Sequence, residues 1–235
     1  MMDTEGNHIA AVLFDLDGTL IDTAPDFSAV LHQLCADQGV VPPSASAILA
    51  TVSSGARALV ELAFQLRPGA IGFDALLQAL LNAYSVQLQT TRSTLFPGMH
   101  ELLNTLEQRG VAWGIVTNKP ERFSVPLLQS LSLDQRCAVL ICPDHVSQTK
   151  PHPESLLLAC ERLDCLPGQT IYVGDHPRDI EAGNAADMRT IAAAYGYLPT
   201  HPPIADWGAD HIVGSVADIR HYLDGNSPVL SPVTL

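Results

Sequence analysis

Apolar and polar positions along this chain follow two alternating patterns. Short apolar runs at residues 11–14, 111–117, 138–142, 170–174, 189–194 and 211–213 predict buried strands. Longer amphipathic stretches at residues 99–109, 121–131, 154–163 and 177–187 predict helices. Strands that alternate with helices of this length predict βαβ crossovers, and therefore an α/β fold with a doubly wound, Rossmann-like parallel sheet.

Residues 21–91 interrupt this alternation. They contain no convincing strand pattern, and residues 25–38, 44–51, 56–66 and 73–89 each show helical spacing of apolar positions. We therefore predict two domains: a core formed by residues 1–20 and 92–235, and an inserted all-helical domain at residues 21–91. Residues 226–235 have no periodic pattern and are expected to form a frayed tail.

The charge of the chain narrows the range of partners. Twelve basic and 25 acidic residues give a formal net charge of −13, which disfavours binding to nucleic acid or to an anionic membrane. An anionic substrate would also be repelled, so a phosphate site would have to create its own positive field. No apolar run approaches the roughly 20 residues of a membrane span, and residues 1–8 lack the features of a signal peptide.

The cysteines give an expectation about the compartment. There are five, an odd number, and none forms a CxxC pair. We interpret them as free thiols in a reducing cytoplasm rather than as disulfide or zinc ligands.

Polar residues follow several of the predicted strands. Asp15 and Asp17 come after the first strand, Thr117 after the second, Lys150 beyond the third and Asp175 after the fourth. Ligands of open parallel sheets bind outside the carboxyl ends of the strands, so we expect these residues to converge on one site.

The residue types indicate phosphoryl chemistry with a hard metal ion. Asp15, Asp17 and Asp175 offer the oxygen ligands that Mg²⁺ prefers. Thr117 and Lys150 can orient and neutralise phosphate oxygens. A carboxylate can act as the nucleophile and form an aspartyl phosphate, and a second carboxyl group can protonate the leaving oxygen and then activate water.

These positions resemble the motifs of the haloacid dehalogenase superfamily of phosphatases. The matching residues are Asp15-Leu16-Asp17-Gly18-Thr19, then Thr117, then Lys150 before Pro151, and finally Gly174-Asp175 with Asp179. The resemblance implies that Asp15 is the nucleophile and Asp17 the acid/base, with the main-chain carbonyl of Asp17 on the metal. It implies that Thr117 and Lys150 hold the phosphoryl group and that Asp175 completes the metal site. Asp179 would orient Lys150 or a metal-bound water, and the helical insert would be a mobile cap.

Within the superfamily the chain is similar to the phosphoglycolate phosphatase group, and most of all to bacterial N-acetylmuramic acid 6-phosphate phosphatases of cell-wall sugar recycling. Residues 22–27, 53–60, 140–146 and 207–210 carry this closer likeness. It implies a small phosphate monoester as substrate. We expect a monomer or a homodimer, and the sequence does not distinguish the two. His176 is a departure, because many relatives have a small polar residue after the fourth-motif acid.

Some site residues also have plainer interpretations. Asn118 and Lys119 are expected to support the site or to lie at the surface. Arg57, at a helix start after a Ser-Ser-Gly turn, could bind an anion or sugar hydroxyls of the substrate, or could be an ordinary surface arginine. Asp179 could be a first-turn helix acid as well as a site residue.

Other functions remain open at this stage. A phosphomutase of the β-phosphoglucomutase type shares these motifs and the cap. A phospho-accepting signalling domain also uses acids, a hydroxyl and a lysine at strand ends, but it carries no helical insert. A dehalogenase needs no metal, and an acid at Asp17 argues against it.

Overall fold

The computed structural model describes residues 8–225 and contains a six-stranded parallel sheet and a separate two-stranded one. The strands are β1 (Ala11–Phe14), β2 (Ile21–Asp22), β3 (Thr94–Leu95), β4 (Ala112–Val116), β5 (Val139–Ile141), β6 (Thr170–Gly174), β7 (Arg189–Ala193) and β8 (His211–Val213). The large sheet has the order β5-β4-β1-β6-β7-β8. Because β4 and β6 lie on opposite sides of β1, the strand order reverses there, and the predicted doubly wound fold is confirmed.

The helices are α1 (Ala24–Asp37), α2 (Ala45–Val52), α3 (Ala56–Phe64), α4 (Phe73–Gln87), α5 (Met99–Gln108), α6 (Glu121–Ser130), α7 (Glu154–Leu163), α8 (Pro177–Ala185) and α9 (Val216–Leu223). The first eight match the predicted helices to within two residues at either end. The prediction did not include α9.

The helical insert enters and leaves the core at one place. β2 pairs antiparallel with β3, so the chain segments before α1 and after α4 lie side by side. The prediction that residues 21–91 contain no strand is wrong at Ile21–Asp22, since two residues cannot show the alternation that identifies a strand. The division into two domains stays a prediction.

Buried apolar side chains run without a break from the sheet to the insert. Every residue of β1 is fully buried, as expected for a central parallel strand covered on both faces. Val12 and Phe14 of β1 belong to the same apolar cluster as Leu31 of α1 and Leu80 of α4. This shared cluster packs the insert against the core.

Three further expectations concern the cysteines, membrane-spanning helices and the two ends of the chain. All five cysteines are free thiols, as predicted. Within residues 8–225, no helix is both long and apolar enough to cross a membrane. The expected polar N-terminal segment and frayed tail fall largely outside the described residues.

Candidate active site

The carboxyl ends of three adjacent strands bring the predicted site residues together. Asp15 follows β1, Thr117 follows β4 and Asp175 follows β6, and all three side chains are buried. Asp15 and Thr117 line the same cavity. The convergence predicted from the strand ends therefore exists in the fold.

Lys150 reaches this point from the segment between β5 and α7. Its Nζ lies 2.9 Å from Oδ1 of Asp15 and 2.8 Å from Oδ1 of Asp179. Nζ also donates to the Tyr172 hydroxyl at 2.7 Å. Burial alone would raise the pKa of Asp15, but the positive charges of Lys150 and Arg178 outweigh it and lower that pKa. Asp15 is therefore held as a carboxylate, the form that a nucleophile requires.

Three buried carboxylates form the strongest candidate metal site among the described residues. One oxygen each from Asp15, Asp175 and Asp179 lies within 4.8 Å of the others. Burial, together with the charges of Asp15 and Asp179, raises the pKa of Asp175 well above its usual value. A divalent cation would remove this repulsion, and an all-oxygen donor set suits Mg²⁺.

The carboxylate of Asp17 points to other partners. Its Oδ1 accepts from Nζ of Lys119 at 2.8 Å and from the Thr23 hydroxyl at 2.6 Å. The acidic cluster thus contains the side chain of Asp179 in place of the side chain of Asp17. The main-chain carbonyl of Asp17, the atom that the resemblance assigns to the metal, lies 3.4 Å from the Ser53 hydroxyl.

Asp179 combines both roles considered for it. As the third residue of α8, it accepts from the backbone N–H of His176 at 3.1 Å, which is a helix-capping contact. Its other oxygen faces Lys150, and its carboxylate belongs to the acidic cluster. One side chain therefore joins the start of α8 to the site.

Lys119 is buried and contacts Asp17, so of its two interpretations the surface one is wrong, and the residue supports the site. The chain has only two lysines, and both are buried in this site. Besides Asp17, Nζ of Lys119 contacts the Tyr84 hydroxyl at 2.8 Å. Its position directly after a strand-end motif was the available signal, but Tyr84 is distant in sequence and its contact could not be foreseen.

The residues before Lys119 shape the loop. The hydroxyl oxygen of Thr117 accepts from the backbone N–H of Lys119 at 3.0 Å, which leaves the hydroxyl proton for another acceptor. Nδ2 of Asn118 donates to the main-chain carbonyl of Lys150 at 3.0 Å. Asn118 also lines the cavity, so it both supports the Lys150 segment and faces the space beside it.

The insert reaches the acidic cluster through Ser53, not through Arg57. The Ser53 hydroxyl donates to Oδ2 of Asp175 at 2.9 Å, and Arg178 donates to the main-chain carbonyl of Ser53. Nε of Arg178 is buried without a hydrogen-bond partner among the described residues. Arg57 is exposed on α3 and is not among the residues that line the cavity. Its proposed contact with substrate stays a prediction.

Gly18 and His176 fit the site for local reasons. Gly18 has φ +83°, and a Cβ there would collide with the Asp175 carboxylate and the Tyr197 ring. His176 precedes α8, and its Nδ1 accepts from the backbone N–H of Arg178 at 3.3 Å. Burial and the nearby Arg178 charge lower the pKa of His176 to about 4, so it is neutral at physiological pH.

These side chains surround a cavity of about 230 Å³. Its polar wall includes Asp15, Asp17, Thr117, Asn118, Lys119, Ser53 and Arg178. Its apolar wall includes Phe27, Val52, Leu81, Tyr84 and Phe123, of which Phe27 and Tyr84 stack with ring centroids 4.1 Å apart. The cavity can therefore take a ligand with an anionic end and an apolar face.

Comparisons with known proteins agree with this arrangement. The sequence profile of the haloacid dehalogenase-like hydrolase family matches residues 12–193. An N-acetylmuramic acid 6-phosphate phosphatase of Pseudomonas putida is 45% identical over 216 residues, which is 92% of this chain and 96% of that protein. A phosphoglycolate phosphatase of Xanthomonas campestris is 42% identical over 203 residues, 86% of this chain and 91% of that protein.

A solved structure gives the same result for the fold. The crystal structure of a predicted phosphoglycolate phosphatase from Haemophilus somnus superposes with a TM-score of 0.80 at 26% identity, covering 91% of this chain and 97% of that one. The resemblance inferred from the motifs is confirmed.

Proposed function

Because the chain belongs to the haloacid dehalogenase-like hydrolase family and is a phosphoric monoester hydrolase, we propose that it hydrolyses a small phosphorylated acid or sugar through an aspartyl-phosphate intermediate. Its substrate class is that of its relatives: 2-phosphoglycolate or a sugar phosphate such as N-acetylmuramic acid 6-phosphate. The five free cysteines support a cytoplasmic location for the reaction. The observation that carries the proposal is the position of the Asp15 carboxylate, which lines the cavity and accepts a hydrogen bond from Lys150.

The transferred phosphoryl group is bound by positive charge and hydrogen-bond donors. Lys150 and Arg178 lie beside Asp15, and the unpaired N–H of Arg178 Nε can donate to a phosphate oxygen. The Thr117 hydroxyl supplies a further donor. This local field offsets the repulsion that the overall charge of −13 imposes on an anionic substrate.

The bond changes use the two acids of the first motif. An oxygen of Asp15 attacks phosphorus, and the bond from phosphorus to the leaving oxygen breaks. Asp17 gives its proton to the leaving oxygen as general acid. Asp17 then takes a proton from water as that water attacks phosphorus, and phosphate leaves with Asp15 regenerated.

Mg²⁺ is the proposed cofactor, and the donor set fits it. Asp15, Asp175 and the main-chain carbonyl of Asp17 would hold the ion, with Asp179 beside it. If Asp15, Asp175 and Asp179 are all ionised, the charges of Lys150 and Arg178 leave one negative charge uncompensated. When bound, Mg²⁺ supplies the positive charge that makes the site attractive to a phosphate dianion.

Phosphate release from purified protein tests the proposal. Wild-type protein with Mg²⁺ should release inorganic phosphate, and no isomeric sugar phosphate, from at least one of 2-phosphoglycolate, N-acetylmuramic acid 6-phosphate and p-nitrophenyl phosphate. Asp15→Asn should abolish release from all three. Asp37→Asn, the same change at an exposed position of α1, should retain it. Near-wild-type turnover by Asp15→Asn would place the nucleophile elsewhere.

A further inference from the structure

Lys119 is a buried cation that the catalytic steps above do not use. Its side chain is 5% exposed, and its Nζ lies 4.7 Å from the ring centroid of Phe27 and 4.5 Å from that of Tyr84. Burial alone would lower the pKa of Lys119, but the Asp17 carboxylate and the Tyr84 hydroxyl outweigh it and raise that pKa. The ion pair with Asp17 therefore favours the charged form of Lys119.

The surroundings of this ammonium separate it from the phosphoryl group. Among the contacts of the described residues, Lys150 serves the acidic cluster, whereas Lys119 pairs with Asp17. Lys119 lines the cavity together with Phe27 and Tyr84, which belong to α1 and α4 of the insert. A leaving group that rests on these aromatic rings would bring its substituents against Lys119.

A hydrophobic wall with one buried cation selects a specific kind of ligand. The rings favour an apolar or sugar face, and the ammonium favours an anion that can replace its present partner. Asp17 is that partner, and an incoming carboxylate would take its place on Nζ.

On the basis of the proposed function, we propose that Lys119 determines substrate specificity by binding a carboxylate of the leaving group. Substrates whose leaving group carries a carboxylate then gain in binding. Substrates without one leave Lys119 on Asp17. Lys119 thus distinguishes one leaving group from another.

A matched pair of substrates isolates this contact. N-acetylmuramic acid 6-phosphate differs from N-acetylglucosamine 6-phosphate by the lactyl ether that carries its carboxylate. Wild-type protein should prefer the first substrate in kcat/KM. Lys119→Met should reduce the ratio of the two kcat/KM values by about 10- to 100-fold, the range for losing a hydrogen bond to a charged group. Effects of the substitution that act on both substrates equally cancel in this ratio.

Two control variants separate charge from position. Arg122→Met removes one positive charge from an exposed position of α6 and should leave the ratio unchanged. Lys119→Arg retains a cation, so it should reduce the ratio of the two kcat/KM values less than Lys119→Met does. A ratio in Lys119→Met equal to that of wild type would overturn the inference, as would a wild-type enzyme without preference for the carboxylate.

A binding measurement covers the case in which Lys119→Met turns over too slowly. In the Asp15→Asn background, calorimetry should show tighter binding of N-acetylmuramic acid 6-phosphate than of N-acetylglucosamine 6-phosphate. Adding Lys119→Met should remove the difference, and its persistence would contradict the role of Lys119. Loss of this inference leaves the phosphatase proposal intact, because that proposal fails only if wild-type protein releases no phosphate or Asp15→Asn remains active.

Discussion

Lys150 and Asp15 form an ion pair that is almost completely removed from water. Nζ and Oδ1 are 2.9 Å apart, and the two side chains are 0% and 4% exposed. The pair joins β1 to the segment before α7, which are 135 residues apart in the chain. Its geometry makes the nucleophile and the phosphate-binding cation a single structural unit.

Removing the cation of this pair should destabilise the fold. Lys150→Met leaves Asp15 and Asp179 buried without their counter-charge, and we expect a loss of about 3–5 kcal/mol in the free energy of unfolding. Urea denaturation in metal-free buffer measures it. Activity should also be lost, because the phosphoryl group loses a positive partner. If Lys150→Met is as stable as wild type, water reaches the Lys150–Asp15 pair more easily than its burial indicates.

The role of Asp17 can be tested by the quality of the leaving group. Asp17→Asn should lower kcat on an alkyl or sugar phosphate by about 10²–10⁴-fold, since protonation of the leaving oxygen is lost. p-Nitrophenolate leaves without such a proton, so p-nitrophenyl phosphate should release a burst of p-nitrophenolate equal to the enzyme concentration. Slow turnover should follow, because Asp17→Asn cannot take a proton from the attacking water. Stopped-flow absorbance records the burst. Steady turnover at the wild-type rate from the first cycle would assign the acid/base to another residue.

Magnesium should stabilise the folded protein as well as activate it. At a free concentration 100 times its Kd, a ligand that binds only the folded state adds about 2.7 kcal/mol. The midpoint temperature of thermal unfolding should therefore rise when Mg²⁺ is added and fall again when EDTA removes it. Activity should rise and fall in parallel. Asp175→Asn should remove the shift, whereas Asp37→Asn should retain it. A shift that survives Asp175→Asn would place the ion at a different site.

Asp26 should make stability depend on acid pH. This buried carboxylate accepts hydrogen bonds from the Ser93 hydroxyl at 2.6 Å and the Arg92 backbone N–H at 2.9 Å, and it also contacts Thr91 and Gln87. Burial would raise the pKa of Asp26, but these hydrogen bonds lower it below its ordinary value near 3.8. The contacts tie α1 to the chain that leaves the insert.

A lowered pKa in the folded state means that the ionised form of Asp26 stabilises the fold above pH 3.8, and that this contribution is lost as the pH falls through the lower, folded-state value. Asp26→Asn should cost about 1–3 kcal/mol at pH 7, and the difference from wild type should shrink below pH 3.8. Denaturation of wild type and Asp26→Asn at pH 7 and at pH 3 measures the difference in their free energies of unfolding at each pH. An equal difference at both values would show that the hydrogen bonds do not depend on the charge.

Much of the site could be predicted because of a general property of parallel sheets. The carboxyl ends of adjacent strands meet at one edge, so Asp15, Thr117 and Asp175 had to converge once the strands were identified. Lys150 lies on a loop, and its place in the site followed from the order of the motifs. The helical insert was also predictable, because periodicity over dozens of residues is a strong signal.

The sequence by itself determined the fold class, the helical insert and the polar groups at the strand ends, because these depend on local periodicity and on the geometry of a parallel sheet. Only the tertiary structure decided that the side chain of Asp179, not Asp17, completes the acidic cluster, that Lys119 is buried, and that Ser53 reaches the core while Arg57 does not. These outcomes depend on how α1, α4 and the loop before α3 pack over the strands. The direction of a side chain is set by that packing between distant segments, and residue type and spacing do not encode it locally.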